Sequence, residues 1–198
     1  MTSERIAAFS DGVIAIIITI MVLELRVPHG TDLSSLSALL PVFLTYILSF
    51  IVVGIYWSNH HHMLSLTERI TGGVLWANLH LLFWLSLMPF VTGWMGENHF
   101  APVPTALYGA VLLFAGVAYY ILERTIIRAA GPNSRLEAAV GADWKGRVSV
   151  LLYASAIPLA FVHQAIAEAI YVGVALMWLV PDKRIEDIYD DAMEERRT

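Results

Sequence analysis

Cysteine is absent from this chain of 198 residues, and charge is scarce: Asp, Glu, Lys and Arg together make up 15%. Without cysteine there is no thiol nucleophile, disulfide framework, CxxC metal site or haem attachment. The absence says nothing of the redox compartment. A soluble domain carries about 25% charged residues, so the chain has too little polar surface to cover a globule in water. The net charge of −5 opposes binding to DNA, and the acids cluster near the C-terminus. Also missing are a Walker loop, a GxSxG elbow, an HExxH helix, a Rossmann fingerprint and a TVGYG carbonyl filter. What remains is apolar: 58% hydrophobic residues and a mean hydropathy of +0.66. These features argue against a soluble enzyme and a nucleic-acid binder. They place most of the chain in lipid.

A membrane helix needs roughly 20 mostly apolar residues to cross about 30 Å of hydrocarbon. No Asp, Glu, Lys or Arg lies between Asp32 and Glu68, Arg69 and Glu97, Glu97 and Glu123, Arg147 and Glu168, or Glu168 and Asp182. With the N-terminal run, these gaps predict six spans, near 4–26, 38–64, 71–95, 104–127, 145–163 and 165–181. The uncharged part of the first, Gly12–Leu23, covers only roughly 18 Å at 1.5 Å per residue. The helix must therefore extend back through Asp11, which places a carboxylate inside the bundle or at its mouth. Pro158 lies inside the fifth span, where it removes a backbone hydrogen bond and favours a kink. The last two spans are short enough that buried core helices are an alternative. The expected organisation is an all-α, six-helix transmembrane domain over 1–181 and a polar cytoplasmic tail over 182–198.

Basic residues set the orientation. With six spans, Arg5, Arg69, Arg124, Arg128, Arg135, Lys145, Arg147, Lys183, Arg184, Arg196 and Arg197 fall on one side, and Arg26 alone on the other. Under the positive-inside rule both termini are cytoplasmic. The N-terminal run has neither a basic n-region nor an A-x-A-like site, so it reads as a span and not as a cleavable signal.

Ionisable residues inside a membrane are functional candidates because burying them is costly. Here they are Arg5, Asp11, Glu24, His60, His61, His62, His80 and Glu168. On a wheel of about 100° per residue, Ile16, Thr19, Ile20 and Leu23 share one face of the first helix, and Asp11 points well away from it. This face suits either a pathway or plain packing against neighbours. Consecutive histidines diverge, so His60, His61 and His62 cannot converge on one metal ion, and no metal site is expected. One or two of them, with Trp57 and Asn59, are expected to hydrogen-bond near Asp11 and Arg5. Ser10, Asn78 and His80 are candidates to extend that network.

The opening run Arg5-Ile-Ala-Ala-Phe9-Ser10-Asp11, followed by an apolar helix with a Leu-Glu-Leu exit, resembles the RxxxFSD signature of the bacterial branch of the transmembrane protein 175 family. Trp57…His60-His61, Asn78-Leu79 and Pro89-Phe90 extend the likeness, which is strongest in the first 25 residues. The resemblance implies a potassium-permeable cation channel in the bacterial inner membrane, with no enzymatic activity and no cofactor beyond the permeant ion. It implies a homotetramer around the first helix. Carried over, Ile16 forms the narrowest ring, Thr19 a ring of hydroxyls, and Ile20 and Leu23 further apolar rings. Arg5, Phe9, Ser10 and Asp11, with Trp57, His61 and Asn78, hold the helix from outside the pore. The sequence itself leaves two other readings open: a proton-coupled transporter using Asp11, the histidines and Glu168, or a non-conducting membrane scaffold.

Overall fold

The computed structural model describes residues 2–67, 69–131, 136–137 and 143–179. The expected tail, 182–198, lies outside the described residues. Helices follow one another as α1 (Ser3–Leu23), α2 (Leu33–Ser37), α3 (Leu40–Ser65), α4 (Gly72–Ser86), α5 (Met88–Glu97), α6 (Pro102–Ala130), α7 (Trp144–Val162) and α8 (Gln164–Leu179). The described residues contain no strand.

Local signals explain the boundaries. Thr71 caps α4 by accepting the Val74 N–H at 3.3 Å, and Asp143 caps α7 by accepting the Gly146 N–H at 3.1 Å. Pro41 and Pro102 sit in the first turns of α3 and α6, where a missing N–H costs nothing. Gly131, at φ 87°, ends α6 in a conformation that a side chain would strain. The first helix does run back through Asp11, but it stops at Leu23 rather than residue 26. Glu24 is its C-cap, and the Leu25 N–H turns back to Val22 O at 3.2 Å.

The expected third span, 71–95, is found as Gly72–Glu97, interrupted only at Leu87 between α4 and α5. Pro89 offers no N–H to Leu85 O, and the Leu87 N–H meets Trp84 O at 3.2 Å. Pro158 lies inside α7, which runs on as one helix. Five segments are long and apolar enough to cross a membrane: α1, α3, the α4–α5 pair, α6 and α7. The expected sixth, α8, has 16 residues, roughly 24 Å of helix. The last two residues of that expected span, 180 and 181, lie outside the described residues.

Helix α6 is the hub. It packs on α4, α5, α7 and α8, while α1 packs on α3, α4 and α5. Small residues bring backbones close, as lipid-embedded helices require: Ala115 and Ala118 on α6 and Ala156 and Ala160 on α7 are fully buried. A Cβ on Gly96 would lie 2.7 Å from Val42 Cα, so α5 and α3 touch main chain to main chain. Gly109 likewise leaves room for the Tyr171 hydroxyl, which donates to Thr105 O at 3.0 Å.

Candidate pore helix and its polar anchor

Helix α1 has two sides. Ile6, Ser10, Ile14, Ile17 and Met21 recur at steps of three or four and are all buried against α3, α4 and α5. The opposite side carries Ile16, Thr19, Ile20 and Leu23, which face away from the chain's own bundle; Ile16 is 58% exposed and Leu23 79%. Gly12 lies on this side too, with nothing within 4 Å of an added Cβ. Thr19 Oγ donates to Ile16 O at 2.9 Å. Its proton is therefore spent within the helix.

Polar contacts fix which side faces in. Asn78 on α4 is 2% exposed and stands between α1 and α3. Its Nδ2 donates to Ser10 Oγ at 3.0 Å, and its Oδ1 meets His60 Nε2 at 2.7 Å. Beside this triad, Trp57 Nε1 donates to Asp11 Oδ1 at 2.9 Å. Two adjacent residues of α1 are thus tied to α3 and α4, which sets the rotation of α1 about its axis. Turning it by one residue would exchange Ile16 for Ile17.

The structure brings together Ser10, Asp11, Trp57 and Asn78, and separates the rest of the expected network. His60, not His61, is the histidine that reaches Asn78. His61 is exposed, 6.2 Å from the Trp57 ring between centroids. The reason is helical phase: the buried stripe of α3 runs through Thr45, Ser49, Val52, Val53 and His60, and His61 lies about 100° off it. His80 accepts from Trp84 Nε1 at 3.0 Å on the exposed side of α4 and does not extend the triad. Asn59 returns to Ile55 O at 2.9 Å. Arg5 and Phe9 are exposed on the outward side of α1, in line with Ile16, and do not join the anchor. Glu24 is exposed at the far end of α1, and Glu168 is half-buried on α8. Among the described residues no three His, Asp or Glu side chains converge as a metal site would need.

A second buried polar cluster went unread in the sequence. Ser49 on α3, Tyr108 on α6 and Thr92 on α5 form a chain: Ser49 Oγ meets the Tyr108 hydroxyl at 3.0 Å, and Thr92 Oγ donates to Ser49 Oγ at 2.7 Å. Hydroxyls isolated in apolar runs were the available signal.

A family model described as the endosomal/lysosomal potassium channel TMEM175 matches residues 5–89. Over 186 residues, 94% of this chain and 97% of the relative, the sequence is 55% identical to a potassium channel of a Chryseobacterium species. The chain belongs to the TMEM175 family. A potassium channel of Streptomyces collinus is 30% identical over 89% of this chain and 91% of its own. The crystal structure of a lysosomal potassium-selective TMEM175 homolog from Chamaesiphon minutus superposes with a TM-score of 0.79 at 29% identity. That match covers 90% of this chain and 96% of the other. Vertebrate relatives align over a shorter stretch, and the human one is called a proton channel. The family model and each of these relatives are called channels. Family membership and the five apolar spans make this chain a multi-pass membrane protein.

Proposed function

We propose that the chain conducts potassium and other monovalent cations through a pore walled by α1 helices, one from each of four copies. One observation carries the reading. The α1 side bearing Ile16, Thr19, Ile20 and Leu23 is turned out of the bundle, and its rotation is held by Ser10 and Asp11. Ile16 then forms an aliphatic ring that gates by excluding water. The Thr19 oxygens replace part of a cation's hydration shell, and Ile20 and Leu23 extend the apolar lining towards the outer mouth. Arg5 and Phe9, on the same side of α1, pack between copies near the cytoplasmic mouth. The pore sits in the bacterial inner membrane with both termini cytoplasmic, as the basic residues favour.

The names of the vertebrate relatives favour protons as a second permeant ion. Purified protein in liposomes with a potassium gradient separates the readings. Protein-dependent potassium flux is expected without any pH gradient. Proton flux alone, or potassium accumulated uphill at the expense of a pH gradient, would overturn the potassium-channel reading.

A further inference from the structure

A groove of about 410 Å³ opens between α3, α6, α7 and α8, away from α1. All four helices contribute the same end: the C-terminal halves of α3, α6 and α8, and the start of α7. Its lining is mostly apolar, with Val52, Ile55, Val117 and Val150 among it, and the tyrosines Tyr56, Tyr119 and Tyr153 add ring surface. The charged and amide side chains that line it are Asn59, Asp143 and the exposed Arg147, placed at the end of α3 and the start of α7. Two further cations stand close by. Arg124 lies 5.1 Å over the Tyr120 ring, and Lys145 Nζ lies 5.8 Å over the Trp178 ring, both rings lining the groove.

We propose that this groove holds one anionic phospholipid, its acyl chain among the apolar residues and its phosphate at Arg147. The groove is cut into spans whose flank is apolar, with Leu151 at its edge 70% exposed, so hydrocarbon is the medium that bounds it. An acyl chain matches the interior, and the mouth matches an anion. Among the described residues there, Arg124, Lys145 and Arg147 stand with the acids Glu123 and Asp143, and Arg124 is paired with Glu123 at 3.5 Å. Half-burial pushes the Asp143 carboxyl above its usual range, against the Gly146 N–H, Arg124 and Arg147, which weakens its opposition to a phosphate. The volume falls in the roughly 300–1,000 Å³ range of small-molecule sites.

Native mass spectrometry of the intact protein, released from micelles carrying dioleoylphosphatidylglycerol or dioleoylphosphatidylcholine, tests this. The wild type should retain the anionic lipid about fivefold better, the effect of roughly 1 kcal/mol per basic residue at an anionic surface. Arg147→Gln, an exposed site, should abolish that preference while leaving the particle intact. Gly116→Leu should lose both lipids. A Cβ there meets only the Tyr56 hydroxyl at 3.7 Å and Val150 Cγ2 at 3.8 Å, so the larger side chain extends into the groove. Equal retention of the two lipids by the wild type would overturn the proposal, and is what a groove filled by the chain's own segments or by another copy would give. A preference that survives Arg147→Gln would overturn it too.

Discussion

Ile16→Asn is expected to raise potassium flux in proteoliposomes about tenfold and to narrow the preference for potassium over sodium. An aliphatic ring excludes water from a narrow pore, and the passing cation must shed hydration with nothing in return. Four amides give both water and ion a partner. Lowering that barrier by about 1.4 kcal/mol multiplies the rate about tenfold, and a wetter ring discriminates less between hydrated ions. Ile17→Asn is the control. Ile17 is 3% exposed and faces α3, α4 and α5, so an amide there is buried in the bundle and lowers stability, with no gain in flux. Unchanged flux and selectivity in an intact Ile16→Asn particle would remove Ile16 as the constriction.

Asn78→Leu should cost stability and flux together. The substitution leaves His60 Nε2 and Ser10 Oγ buried, at 1% and 0% residue exposure, without their shared partner. An orphaned buried polar group costs about 1–3 kcal/mol in soluble proteins, and hydrogen bonds between membrane helices average about 0.6 kcal/mol. A loss of roughly 2 kcal/mol follows, or about 4–8 °C in thermal midpoint for a chain of this size. Potassium flux should fall as well, because α1 loses the contact that sets its rotation. Replacing His60 and Ser10 by apolar residues in the same protein should recover much of the stability, since no buried group is then orphaned. A parental melting temperature for Asn78→Leu would mean that the triad does not anchor α1.

The membrane class and most of the spans were legible because uncharged runs between charged residues match the length of a membrane crossing. The first 25 residues carried the family. Asp11 inside α1 followed from length alone, since Gly12–Leu23 is too short to cross. The interruption at Leu87, two residues before Pro89, was written in the sequence but left unread. The choice between His60 and His61 needed the phase of α3, and Thr45 and Ser49, polar residues recurring on one side, would have supplied it. Which side of α1 faces out was not legible, because the helix is apolar all round and only its partners break the symmetry. Arg5 and Phe9 share a motif with Ser10 and Asp11 but lie on a different side of the helix, and for Arg5 a wheel of about 100° per residue already shows it. The Ser49–Thr92–Tyr108 cluster joins three distant spans: isolated hydroxyls marked its members, but no local pattern pairs them.

The central claim is that the Ile16 side of α1 lines a pore between copies, and the absence of native cysteine makes it directly testable. Single cysteines placed along α1 from Gly12 to Leu23, each followed by silver or a small cationic thiol reagent during potassium flux, report which side chains meet the ion pathway. The account predicts block at Ile16, Thr19, Ile20 and Leu23 and none at Ile14, Ile17 and Met21, with oxidation of Ile16→Cys linking one copy to another. Block on the Ile14–Ile17–Met21 side, or insensitivity at every position in a conducting protein, would contradict it.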